Sequence, residues 1–185
     1  MANSVLAISD RLKRNDNGTI SYKQMCANEG VKALERGYNY RLNPVYSVLI
    51  LSSSPYAFYE NWISRDGKTI ECEGHDVRKS MLQLNPKAFD QPRRLKCGRP
   101  TQNGLFAEAV DEFAEGKREA EYVRVYEKLA WGMWRDLGFY HLTHYSYIRS
   151  GSRMVFRFHL EKVHRSHVQG KSAFLSLHAS MAPDR

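Results

Sequence analysis

With 185 residues and 28 Lys plus Arg against 20 Asp plus Glu, the chain is long enough to bury the core of one domain and too short for two domains and a linker. Its formal charge of +8 is spread along the chain and not gathered in a basic tail, so a polyanion met by one face of a folded domain is the expected partner. Cys26, Cys72 and Cys97 have no CxxC spacing, and no apolar run reaches the length of a signal peptide or a membrane span, which excludes a disulfide framework, a zinc ribbon and a spanning segment and leads us to expect a soluble protein of a reducing, intracellular compartment.

Residues 21 to 36 read as a helix, because Ser21 offers a cap and Met25, Cys26, Val31 and Leu34 recur near helical spacing, with Gly30 as a weak point. Asn43-Pro44 breaks the chain. The run from Tyr46 to Leu51 is short and β-branched, as a buried strand is, and Ser52-Ser53-Ser54-Pro55 ends it. Tyr56 to Trp62 is aromatic without a clean period. Asp66-Gly67 marks a turn before a second strand, Lys68 to Glu73. From Arg78 to Pro100 the chain is basic, interrupted by proline and aperiodic, so it reads as a long loop region of the kind that carries function. Gln102 to Lys117 is the clearest helix, with Leu105, Phe106, Ala109, Val110 and Phe113 on one stripe, Glu108, Asp111, Glu112 and Glu115 opposite, and Gly116 closing it. Three strands follow, Glu121 to Leu129, Phe139 to Ile148 and Arg153 to Val163, the last two joined by Ser150-Gly151-Ser152 as a hairpin. The expected fold is α+β, a strongly curved, largely antiparallel β-barrel-like sheet with one or two packed helices.

Catalytic chemistry is not apparent. His141 and His144 stand three apart on a strand and point to opposite faces unless a bulge intervenes, His164 and His167 lie in a basic tail, and no Cys/His spacing or carboxylate pair frames a nuclease site.

Three words remain in order, Glu73-Gly74-His75-Asp76, then Asp90-Gln91, then Pro100-Thr101-Gln102-Asn103-Gly104, with Val123-Arg124-Val125-Tyr126 and the Gly138 to His159 segment behind them. Together they resemble the SRA (SET and RING associated, or YDG) domain, and in particular the SRA-like module of bacterial modification-dependent HNH endonucleases, over about Asn43 to Val163. The resemblance divides the chain into an N-terminal helical extension (1–42), an SRA-like modified-DNA-binding domain (43–163) and a C-terminal tail (164–185). It implies a concave face that grips duplex DNA and a pocket that holds a 5-modified cytosine, 5-methylcytosine or 5-hydroxymethylcytosine, turned out of the stack. It also implies a cytoplasmic, nucleoid-associated reader of a bacterium or phage, without cofactor or metal, whose nuclease belongs to a separate domain or partner. A small nuclease or base-processing enzyme on the same scaffold, or a basic RNA- or partner-binding β-domain, is the alternative.

An extracted base must be stacked and its polar edge satisfied. By resemblance the first stacking ring is Tyr59, and the second falls on Cys72, which cannot stack; either Trp62 or Tyr56 supplies that face, or the pocket admits a bulkier group. Asn61 stands near the position of an acid that accepts the cytosine amino group, and a carboxamide presents a donor or an acceptor depending on its flip. Gly74, His75 and Asp76 would wall the pocket, or simply cap a strand end, with Gly74 serving a positive φ or a close approach. Arg78, Lys79, Arg93, Arg94, Lys96 and Arg99 are read as phosphate contacts, or as a solvated face. Gln91, Gln102 and Asn103 are candidates to fill the hole left by the base, or to cap the following helix.

Overall fold

The computed structural model describes residues 18–34, 37–54, 56–76 and 86–163. Its elements are β1 (Thr19–Ser21), α1 (Tyr22–Glu29), β2 (Tyr38–Asn43), β3 (Tyr46–Leu51), β4 (Asn61–Ile63), β5 (Thr69–Glu73), a single 3-10 turn (Pro86–Ala88), α2 (Gln102–Ala114), β6 (Glu121–Ala130), β7 (Met133–Ser150) and β8 (Arg153–Lys162). The strands form one eight-stranded sheet in the order β2-β3-β6-β7-β8-β5-β4, with β1 added on β7. The β3–β6 pair is parallel and the other described pairs are antiparallel. The expected α+β architecture is present, as an open sheet with β2 and β4 at its edges and not a closed barrel.

Helix α1 stops sooner than its periodicity suggested. Ser21 Oγ accepts from the Gln24 amide at 3.1 Å and starts it, and Gly30, at φ 68, ends it, its N–H donating a hydrogen bond to Ala27 O at 3.2 Å. Val31 and Leu34 still pack beside it in a cluster with Met25, Cys26, Tyr46, Val48, Ile50 and Tyr126. Helix α2, capped by the Thr101 side chain, lays Phe106, Ala107 and Val110 on the other face of the sheet, against Tyr38, Leu49, Leu51, Val123, Val125 and the β8 residues Phe156, Phe158 and Leu160. Burying a side chain such as Phe106 contributes about 1.5–3 kcal/mol. Because α1 and α2 cover opposite faces, successive residues of β3 are buried on alternate sides, which is why that strand is apolar without alternation.

The described residues before 43 therefore belong with the same sheet: β2 pairs with β3, β1 pairs with β7, and α1 packs on the β3–β6 surface. Pro44-Val45 is the turn of the β2–β3 hairpin, closed by the Asn43–Tyr46 pair. Strand β7 begins earlier than expected and runs 18 residues, pairing with β6 over its first half and β8 over its second. Register shifts near Gly138 and between Leu142 and His144 bend it as the sheet passes from one partner to the other.

Candidate nucleic-acid interface

Where β5 ends, the chain is held from three sides. The Gly74 amide donates to Phe156 O of β8 at 2.8 Å, and Gln91 Nε2 donates to Gly74 O at 2.6 Å. Asn103, in the first turn of α2, accepts from the His75 amide at 2.8 Å and donates to His75 O at 2.9 Å. A Cβ at Gly74 would lie 2.6 Å from Gln91 Oε1 and 2.9 Å from Asn103 Oδ1, so glycine serves close approach there, not a positive φ.

This clamp sets two carboxylates side by side. Glu73 and Asp76, 5% and 7% exposed, share the buried guanidinium of Arg153 at 2.6 and 2.5 Å. Gln91 Nε2 donates to Asp76 Oδ1 at 3.1 Å, and the Lys87 ammonium lies 3.5 Å from Glu73 Oε1 and 3.6 Å from Asp76 Oδ2. Two acids opposed by two cations satisfy the requirement that buried charge be paired. Glu73 also accepts from the Glu60 amide at 3.0 Å, and Arg157 holds the Glu60 carboxylate and, at 3.0 Å, its carbonyl. The aromatic loop that brings Tyr59 is thereby strapped to the cluster.

Tyr59 completes the group. Its hydroxyl accepts from the Asp76 amide at 3.3 Å, its ring meets the His75 ring at 4.8 Å with a 36° tilt, and Lys87 Nζ stands 4.1 Å from its centroid. Burial, and next the Asp76 charge, push the Tyr59 hydroxyl up to about 12, so the phenol stays protonated and the ring stays neutral. Tyr59, Glu73, Gly74, His75, Asp76, Lys87, Gln91, Asn103 and Arg153 thus converge from five separate stretches of chain.

The other expected pocket residues divide. Asn61 Nδ2 donates to Ser52 O at 2.9 Å and to Tyr59 O at 3.4 Å. That fixes the amide: its oxygen is the side left over, an acceptor suited to an amino group. Cys72 lies opposite Asn61 but is wholly buried in the core, its sulfur accepting from the Tyr38 hydroxyl at 3.0 Å and its thiol pushed up to about 12 by burial. Trp62 pairs with Glu71, so the two-residue strand period turns it to the face away from Asn61 and Cys72, where it is 55% exposed. Tyr56 is 95% exposed. The ring that meets Tyr59 is that of His75, one of the residues expected to wall the pocket or cap the strand end.

Among the expected DNA contacts, Gln91 and Asn103 are buried braces of the loop, and Gln102 accepts from the Tyr40 amide at 2.7 Å, tying α2 to β2. Arg93 pairs with Asp111 at 2.5 Å, and Arg94 pairs with Glu108 and donates to Gly98 O at 3.1 Å, so both guanidinia lie along α2. Lys96 and Arg99 are exposed at the turn closed by the Arg94–Pro100 bridge. Arg78 and Lys79 lie outside the described residues. The bulge after Leu142 corrects one expectation: His141 and His144 face Glu161 and His159, which share one side of β8, so the two histidines share a face as well. No three metal-ligating side chains gather among the described residues.

Glu73, Lys87 and Arg153 were missed. Glu73 stood in the quoted word yet read as a strand end. Lys87 and Arg153 join it only through tertiary contacts, across 14 and 80 positions of sequence, and no periodicity records such a distance.

The sequence matches no protein-family model and no curated protein. In three dimensions the chain is similar to the SRA domain of SUVH5 in a complex with methylated CHH DNA, at a TM-score of 0.52 and 14% identity over 78% of this chain and 85% of that one. It is similar also to the SUVH5 SRA domain bound to fully hydroxymethylated CG DNA, at a TM-score of 0.51 and 14% identity over the same shares. The chain has an SRA-like fold.

Proposed function

From that fold we propose that the protein binds double-stranded DNA containing a 5-modified cytosine, and that it does so by turning the base out of the helix onto Tyr59. What supports the reading is the placement of the Tyr59 ring beside the Asp76 loop, on a scaffold whose solved counterparts are complexes with methylated and hydroxymethylated DNA, with Asn61 two residues further along the chain. The fixed flip of Asn61 leaves an oxygen to receive an exocyclic amino group. Asp76 Oδ2 is a second acceptor. Cytosine presents such a donor at N4, whereas thymine presents a carbonyl at the same position and would meet oxygen with oxygen. The fixed charges of Lys96 and Arg99 would engage phosphate and position the duplex without reading its sequence.

In this reading the chain is a recognition module without catalysis of its own, acting alone or beside a nuclease in a modification-dependent restriction system. Gel shifts at one salt concentration, on duplexes carrying cytosine, 5-methylcytosine, 5-hydroxymethylcytosine or a glucosylated base, test it. Tighter binding to one or both of the small modifications is expected. Equal binding to all four, or cleavage of the modified duplex in magnesium, manganese or zinc, would overturn it.

A further inference from the structure

Lys87 does more than pair with the two buried carboxylates. It sits in the 3-10 turn between the Asp76 loop and Gln91, and its ammonium covers the Tyr59 ring at 4.1 Å while facing both Glu73 and Asp76. A cation and a stacked base use the same π-surface, so they compete for it. The neighbouring His75 ring cannot move easily. His75 is bonded through its amide and carbonyl to Asn103, and its ring fills the space where a Cβ on Gly37 would come within 2.3 Å of His75 Cδ2. Lys87, in contrast, reaches in on four methylenes with a third of its side chain open to solvent, and its withdrawal leaves Arg153 on both carboxylates at 2.6 and 2.5 Å.

Resting on the base-binding reading above, we propose that Lys87 is the gate of the base site: its ammonium occupies the Tyr59 ring in the free protein and withdraws when a base is inserted. Withdrawal bares the ring and also removes one of the two cations facing Glu73 and Asp76. Asp76 Oδ2, the oxygen that Lys87 faces, then lacks a donor. A base with an exocyclic amino group replaces the lost N–H, and a base with a carbonyl there does not. The gate therefore couples opening to selection: an amino-bearing base restores what the lysine gave up, and a thymine leaves a buried acceptor unpaired.

The test uses Lys87→Met, which keeps the length and apolar stem and removes the charge. It is expected to bind the modified duplex about two- to tenfold more tightly, the worth of one cation–π contact, with unmodified duplex unchanged at the same salt. Equal weakening of both duplexes with a smaller salt slope would make Lys87 a phosphate contact, and no change in either would make it a bystander; each overturns the gate. A second measurement follows Lys87 in the unmutated protein, with Tyr59→Leu as its control. In the unmutated protein the Lys87 ε-methylene protons should show an upfield ring-current shift that Tyr59→Leu abolishes, and that shift should be lost on adding modified duplex. If the shift persists while a neighbouring 2-aminopurine reports an unstacked base, the gate is wrong and the base-binding reading stands. If the base never unstacks, both fall.

Discussion

Arg124 and Arg153 are both buried, and each sits across two carboxylates. Arg124 of β6 faces Glu29 of α1 at 3.2 Å and Asp136 of β7 at 2.6 Å, with the rings of Tyr126 and Phe139 over its guanidinium at 5.3 and 5.6 Å. The hydroxyls of Tyr46 and Tyr126 donate to Glu29 at 2.9 and 2.5 Å, and Asn43 Nδ2 donates at 2.8 Å. Every member stands on a helix or strand, and the Glu29 oxygens are fully used. Burial pushes both tyrosine hydroxyls above their ordinary value, which keeps them as donors to Glu29. Arg153 makes a similar pair of ion contacts, to Glu73 at the end of β5 and to Asp76 beyond it, but the residues gathered round those acids, Lys87, Gln91 and Tyr59, stand outside the strands, and a ring face and a carboxylate oxygen are covered by one long side chain. The same charges lock a helix to a sheet in one place and build a site with a spare acceptor in the other.

Breaking each arginine should separate these roles. Arg124→Met leaves Glu29 buried and uncompensated, and urea unfolding should register a loss of about 3–5 kcal/mol with duplex selectivity of the folded protein unchanged. Arg153→Met should cost a comparable amount and abolish the discrimination between modified and unmodified duplex as well. A selective loss in Arg124→Met, or retained discrimination in Arg153→Met, would break the comparison.

Smaller effects sharpen it. Gly74→Ala forces Gln91 or Asn103 aside and should lower stability by about 1–3 kcal/mol in thermal or urea unfolding. Cys72→Tyr should do likewise, because that side chain points into the packed core and a ring there has no room. For the exposed cations, Lys96→Ala with Arg99→Ala should reduce the slope of log affinity against log salt by about two, whereas Arg93→Ala with Arg94→Ala should change it less, since those guanidinia are already paired along α2. Smallest of all is a difference in thiol chemistry. Cys97 is exposed and its thiol is held below the ordinary value by hydrogen bonding from Arg99, while Cys72 is buried and raised. Raising the pH toward 9 should therefore label Cys97 first, with Cys72 and Cys26 reacting only on unfolding.

How much of this was legible in the sequence depended on whether the determining contacts were local. The cap at Ser21, the stripe of α2, the turn at Asp66-Gly67 and the β7–β8 hairpin depend on neighbours within a few residues, and they were readable. Strands β1 and β4, three residues each, carry too little pattern to read, and β2 exists because β3 offers an edge. Tyr59, Gly74, His75 and Asp76, which the fold brings together, were singled out through their order along the chain. Cys72 was the second pocket position by resemblance and Trp62 a replacement for it, and only the β4–β5 register sends Trp62 outward and Cys72 into the core. Gln91 and Asn103 read as reachers toward a ligand because an amide that braces a loop and an amide that reads a base look alike until its partners are known.

The central claim is that a modified base leaves the helix and stacks on Tyr59, and 2-aminopurine fluorescence beside the modified cytosine tests it most directly. Binding by the unmutated protein should raise the signal. Tyr59→Ala should fail to raise it and should lose about 1–3 kcal/mol of modified-duplex binding while keeping its affinity for unmodified duplex. No fluorescence change with the unmutated protein, together with undiminished discrimination in Tyr59→Ala, would mean that the base stays stacked and that Tyr59 does not receive it.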